Sequence, residues 1–242
     1  GFIVSAQNSI NEDEIAQVIG WPRVMGCIVL LGGGMYEPGH VNRTTSANLR
    51  SLTLGEPSGE ITPRLGEMVE IMSAVGPTEA STNLWGERWA KLGTNCISNA
   101  MAAFTGLNST ELRENPQTRE MAIHIGSELI RVANALGVSP GPIWSIPADM
   151  LIRALKDDGV REEVESRMSA AGKAFAGGHP SLAQDMMKGR KTEVEFLNGY
   201  VVKKGGEIGI PTPINEAVVE VTKRVEAGEL EPSLSNLEYI KH

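Results

Sequence analysis

Three polar side chains recur every fourth residue in an otherwise apolar stretch: Lys91, Asn95 and Asn99, within residues 84–99. On a helix that spacing puts them in one row along one face. Leu84, Trp85, Trp89, Leu92, Cys96 and Ile97 surround the row with apolar surface, so it runs beside buried packing. A cation and two carboxamides are costly in such a setting unless something pairs with them. An ammonium so placed can stabilise negative charge on a reacting oxygen and hand over a proton. A carboxamide offers a donor and an acceptor without charge. By spacing alone, a solvated stripe on an ordinary amphipathic helix fits as well.

The flanking sequence supplies the elements that must position this row. Residues 1–6 read as a buried strand and Gln7-Asn8-Ser9 as a turn. Asn11 is placed to cap a short helix, with Glu14 at the capping-box position and Gly20 to close it. Residues 24–31 are a β-rich apolar run, and two further strands are predicted over 40–44 and 49–54. Thr62-Pro63 opens a helix to about residue 74, Gly76-Pro77 ends it, and a short strand near 79–81 leads into the row. From Leu84 onward the pattern is helix after helix. One ends near Thr105-Gly106, and one over 116–136 is closed by Gly137. A rigid turn at 139–142 precedes helices over 147–156, 160–173 and 181–188. Thr192 caps another to about 205, and the last spans 213–226. The tail, 229–242, is expected to be loosely held. Trp144, Met150, Phe175, Met186 and Met187 read as core. These elements give an α/β domain over 1–82 and an all-α domain over 83–242.

Composition narrows the partners. Hydrophobic content of 41% and charged content of 21% fit a soluble globular protein. A net charge of -8 and a pI near 5.2 argue against a nucleic-acid surface or an anionic membrane, though not against small anions. Cys27 and Cys96 stand far apart inside apolar runs, which is no disulfide framework and points to a reducing cytoplasm. His40, His124, His179 and His242 show no ligand-like spacing, so no metal site is expected. No apolar run reaches transmembrane length, and the first residues lack a charged region and cleavage site.

Three segments, in this order and spacing, carry a resemblance. The first is Trp89-x-Lys91-Leu92-x-x-Asn95-x-x-x-Asn99. The second is Ser181-Leu182-Ala183-Gln184-Asp185 followed by Gly189-Arg190-x-Thr192-Glu193-Val194-Glu195-x-Leu197-Asn198-Gly199-Tyr200. The third is Gly209-Ile210-Pro211-Thr212-Pro213-x-Asn215. Together they resemble the ketopantoate reductase (2-dehydropantoate 2-reductase) family over essentially the whole chain. The resemblance implies the later part of a Rossmann-type NAD(P)-binding domain followed by a helical domain like that of 6-phosphogluconate dehydrogenase, with the active site in the cleft between. The likeness begins late in the Rossmann domain. The Gly-x-Gly-x-x-Gly turn that receives a dinucleotide pyrophosphate does not occur, and Gly32-Gly33-Gly34 is no substitute for it. The expectation is a fragment or truncated product of a longer reductase, which by itself binds dinucleotide poorly.

By this resemblance Lys91 is the proton donor and Glu193 an acid that meets the substrate. Asn95 holds the lysine and the reacting carbonyl, and Asn99 and Ser181 contact the substrate. Asn8 matches a position near the cofactor. Each has a plainer alternative. Asn95 and Asn99 could make helix-to-helix hydrogen bonds, Ser181 could be an N-cap, and Asn8 a turn former. Glu193 could complement a helix dipole beside a Thr192-x-x-Glu195 capping box. Ser109 stands where many relatives carry a substrate-contacting asparagine, with Asn108 one place early, which leaves the substrate open. The implied activity is NADPH-dependent reduction of 2-dehydropantoate to pantoate, in pantothenate and coenzyme A biosynthesis. NADP is the implied cofactor and a small 2-keto acid the implied partner, with a homodimer left open. Two other readings are a reductase of a different 2-keto acid on the same fold, and a non-catalytic helical binding or dimerisation fragment.

Overall fold

The computed structural model describes residues 1–173 and 178–241, so Phe175, expected in the core, lies outside the described residues. The chain divides into two compact units, residues 1–88 and 89–242. Among the described residues no helix is long and apolar enough to cross a membrane.

The first unit is built on β1 (Ile3–Ser5), α1 (Glu12–Ile19), β2 (Val24–Val29), β3 (Gly33–Glu37), β4 (His40–Arg43), β5 (Leu52–Gly55), α2 (Pro63–Met72) and β6 (Thr78–Ser81), and ends in the first turn of α3 (Leu84–Thr105). Its sheet has the order β1-β2-β5-β6, with β1 parallel to β2, β2 antiparallel to β5 and β5 parallel to β6. Alternation decides which side chains share a face. Met25 and Cys27 on β2 and Leu52 and Leu54 on β5 form one buried cluster, closed by Leu65 of α2. Gly26 and Gly55 are partners in register across β2 and β5. A Cβ on Gly26 would lie 2.5 Å from Leu84 Cδ1, and one on Gly55 would lie 3.0 Å from Leu84 Cβ. The two glycines are therefore the seat on which the start of α3 rests.

Four expectations for this unit need correction. The first strand is buried only at its end: Ile3 is 45% exposed and Ser5 fully buried, with β1 pairing with β2 alone among the described residues. The glycine run 32–34 feeds an unexpected strand, β3, which pairs with β4 in a separate two-stranded sheet. The third central strand begins at Leu52, and Leu49 is exposed. Asn11 makes no side-chain cap, since its Nδ2 donates to the Asn8 carbonyl at 2.7 Å. Gly20 closes α1 as expected, its N–H bonding to the Ala16 carbonyl.

The second unit holds the rest of α3, then α4 (Ser109–Glu114), α5 (Pro116–Ala135), α6 (Ala148–Arg153), α7 (Asp158–Lys173), α8 (Ser181–Met187), α9 (Asn198–Ile208), α10 (Pro213–Glu226) and a short 3-10 turn, Leu234–Tyr239. Helix α10 has the expected limits. Helix α4 was not anticipated: Asn108 caps it in a full capping box with Glu111. Asn115 then caps α5, with Pro116 at its first position. The predicted capping box does not form. The Thr192 hydroxyl accepts the Val194 N–H at 3.3 Å, but Thr192 N–H donates to Glu226 Oε1 at 2.6 Å and the Glu195 carboxylate accepts from Lys223 at 2.6 Å. Residues 193–197 make a turn and α9 starts later, at Asn198. The tail is held rather than loose: Asn236 Nδ2 donates to Phe104 O at 2.8 Å, and Ile240 is buried. Trp144 and Met150 are buried as read, but Met187 is 71% exposed, at the end of short helix α8.

Candidate active site

Helix α3 carries the row Lys91, Asn95, Asn99. Lys91 is half-buried, and burial holds its ammonium pKa below the ordinary lysine range. That shift makes its proton easier to give up. Asn95 and Asn99 are 4% and 7% exposed, so neither belongs to a solvated stripe. Asn99 Nδ2 donates to the Ser181 hydroxyl at 3.0 Å, which joins two predicted residues from α3 and α8. Ser181 is the first residue of α8 behind Pro180, and its hydroxyl makes no cap bond. Accepting from Asn99 leaves its own O–H available as a donor.

Ser109 lies at the start of α4, where its hydroxyl donates to the Gly178 carbonyl at 3.0 Å. Gly178 is three residues before Ser181, so Ser109 pins the segment that delivers Ser181 to its helix. Asn108, one place early for the expected contact, is spent on the cap. Glu193 is exposed and sits in the turn before α9, its carbonyl accepting from Phe196 and Leu197 N–H at 2.9 and 3.0 Å. Because α9 begins at Asn198, Glu193 lies ahead of that helix's first turn.

A buried polar lock holds α3 in register, and two of its residues, Asn198 and Asn215, stand in the segments that carry the family resemblance. Asn198 Nδ2, at the start of α9, donates to the Cys96 carbonyl at 3.3 Å and to Asn215 Oδ1 at 2.9 Å. Asn215 Nδ2 donates to Ile125 O and to Glu128 Oε2. The Glu128 carboxylate also accepts the Ile214 and Asn215 N–H groups at 2.9 Å each, which satisfies the N-terminus of α10. The Trp89 ring packs 6.0 Å from that of Tyr200 on α9. Burial alone pushes the Cys96 thiol far above the usual thiol range, so it packs rather than reacts. A cavity of about 570 Å³ in the same unit, beside Ala102, Ala103, Ala183 and Met186, is lined by none of the row.

In the first unit, Asn8 occupies the turn after β1, half-buried, with Ser9 beyond it at φ 71°. Beneath that turn lies Arg88, which sequence reasoning missed. Its guanidinium donates to the carbonyls of Ser5 at 2.7 Å and Gln7 at 3.0 Å, and to the carboxylate of fully buried Glu12. The available signal was an arginine set between Trp85 and Trp89 on an apolar helix. For a nicotinamide dinucleotide these residues are a partial fit. Asn8 offers a polar turn at a strand end, whereas Gly33 and Gly34 lie within the β3–β4 pair and form no strand-to-helix cradle for a pyrophosphate.

The first unit is part of a Rossmann-type α/β fold and the second a helical domain, the build of a two-domain, dinucleotide-linked class of enzyme folds. The chain belongs to the ketopantoate reductase family: the family described as "Ketopantoate reductase PanE/ApbA C terminal" matches residues 83–226. It is similar to the 2-dehydropantoate 2-reductase of Aquifex aeolicus (strain VF5), 28% identical over 232 residues that cover 95% of this chain and 68% of that protein. The crystal structure of a PanE/ApbA family ketopantoate reductase from Ralstonia eutropha JMP134 matches with a TM-score of 0.72 at 26% identity, over 95% of this chain and 68% of that one. D-mandelate dehydrogenase, solved with NADH, matches with a TM-score of 0.76 over 94% of this chain and 70% of that one. At 19% identity, that is a likeness of fold alone.

Proposed function

We propose that this chain carries the catalytic lysine and the substrate contacts of a reductase that converts 2-dehydropantoate to pantoate with NADPH, in the cytoplasmic route to pantothenate and coenzyme A. The observation that supports this most directly is the row on α3. A lysine with a lowered pKa shares one helix face with a buried asparagine that already holds a serine hydroxyl. The proposed division of labour follows the chain, with dinucleotide contacts in residues 1–82 and substrate chemistry in 83–242.

The bound nicotinamide supplies the hydride. Lys91 donates a hydrogen bond to the keto oxygen, stabilises the charge that develops there and transfers a proton to the alkoxide. The product is a 2-hydroxy acid, and solvent then reprotonates the amine. Asn95, one turn further along, orients the carbonyl and the ammonium. Asn99 and Ser181 act as a pair, the amide fixing the serine so that its O–H points to a substrate oxygen. Glu193 accepts from the substrate hydroxyl. Ser109 supports Ser181 through Gly178 and keeps an acceptor for the same ligand. Asn8 would lie near the bound cofactor.

The deciding experiment is oxidation of NADPH by the full-length gene product with 2-dehydropantoate beside other 2-keto acids. Preference for 2-dehydropantoate is expected. Preference for another keto acid would favour the second reading, which the Ser109 position supports, and no turnover with any would overturn both.

A further inference from the structure

Arg88 is 3% exposed and Glu12 0% exposed, so an ion pair is buried directly under the turn that carries Asn8. Core arginines are expensive, and this one is placed for geometry rather than for packing. Nη1 donates to the Gln7 carbonyl, and Nη2 to the Ser5 carbonyl, the Ser5 hydroxyl at 3.3 Å and the Glu12 carboxylate. Glu12 Oε2 in turn accepts the Asn11 N–H at 3.1 Å, and the Asn11 side chain holds the Asn8 carbonyl. Every link in this set therefore ends on the segment 5–12. A trans peptide places its N–H opposite its carbonyl. With the Gln7 carbonyl turned to the guanidinium, the Asn8 N–H faces away from it. The conformation of the turn is thus set from beneath.

We propose that Arg88, with Glu12 as its counter-ion, is the positioning residue of the Gln7–Asn8–Ser9 turn and holds it in its dinucleotide-binding form before the ligand arrives. The inference rests on the reductase reading above and adds to it a residue outside the substrate and cofactor contacts. A turn ordered in advance spares the ligand the cost of ordering it, which appears in affinity rather than in the chemical step. Lysine cannot replace the arginine, because one ammonium cannot serve two carbonyls and a carboxylate in a planar fork.

The test uses the full-length protein, with NADPH and NADH as probes. Arg88→Lys keeps a charge opposite Glu12 and is expected to fold. It should weaken dinucleotide binding about tenfold, read by quenching of tryptophan fluorescence. Amide exchange over residues 6–10 should quicken, and KM for the dinucleotide should rise while kcat holds. The double variant Arg88→Met/Glu12→Gln, which leaves no stranded charge, should show the same pattern. Lower thermal stability with wild-type dinucleotide affinity and wild-type exchange would overturn the assignment and leave Arg88 a cross-link of the fold. Wild-type protein that binds neither dinucleotide would overturn the reductase reading, and this inference with it.

Discussion

The bond between Asn99 and Ser181 can be weighed by a double-mutant cycle. Asn99→Ala removes the donor, Ser181→Ala the acceptor, and the double variant both. The bond is 3.0 Å long, joins uncharged groups, and has one end buried. Such a bond contributes about 0.5–1.5 kcal/mol net. Asn99→Ala also strips a buried site of its amide, so it should cost about 1–3 kcal/mol by itself. The double variant should cost less than the sum of the singles by about 0.5–1.5 kcal/mol, the share that belongs to the pair. In a domain of this size each kcal/mol moves Tm by about 2–4 °C, which thermal or urea unfolding resolves. The same four proteins should then be compared in kcat/KM. If Asn99 works by aiming the serine hydroxyl, Asn99→Ala should cost less activity once Ser181 is already alanine. Additivity to within about 0.3 kcal/mol in both measurements would refute the pairing.

Other outcomes follow from the same geometry. Lys91→Ala should lower kcat about a hundred- to ten-thousand-fold with the fold intact by circular dichroism; wild-type turnover would remove Lys91 from the chemistry. Because burial depresses the Lys91 pKa, kcat/KM should fall as pH rises through a value below the ordinary lysine range, and Lys91→Arg should abolish that limb. In stability the sign is opposite. The unfolded chain binds the Lys91 proton more tightly, so stability from this group grows as pH rises from the folded pKa toward the unfolded one. Lys91→Met should therefore raise Tm at neutral pH, by less as pH increases, and an unchanged or lower Tm would count against burial as the cause. Glu193→Gln should raise KM for the keto acid and leave Tm alone; the reverse pattern would make Glu193 structural. Glu128→Ala removes the acceptor of three buried donors and should cost about 3–5 kcal/mol in urea unfolding, whereas a loss under about 1 kcal/mol would show that α10 does not depend on it.

Features encoded within a few residues were readable from the chain. Proline at the first position and an amphipathic run were enough to delimit α10, and four-residue spacing placed Lys91, Asn95 and Asn99 on one helix. Features that depend on distant partners were not readable. Thr192 and Glu195 have the spacing of a capping box, but Glu226 and Lys223, some 30 residues on, offered better partners. The tail looked loose because Asn236 finds the Phe104 carbonyl, 132 residues away in sequence. Arg88 looked like one more charge on α3, since its partners Ser5, Gln7 and Glu12 lie more than 70 positions earlier. Helix α4 is signalled nearer at hand, by Asn108 and Glu111 at capping-box spacing, but its six residues are too few to show an apolar period.

The interior knot of Asn198, Asn215 and Glu128 ties α3 to α9, α5 and α10. All four amide hydrogens of the two asparagines are engaged, one of them on the Cys96 carbonyl between Asn95 and Asn99. Sliding or rolling α3 by even part of a turn would strand the Asn198 donor that rests on it in a dry interior, at a cost of about 1–3 kcal/mol. The knot therefore backs the stretch of α3 that carries Asn95 and Asn99.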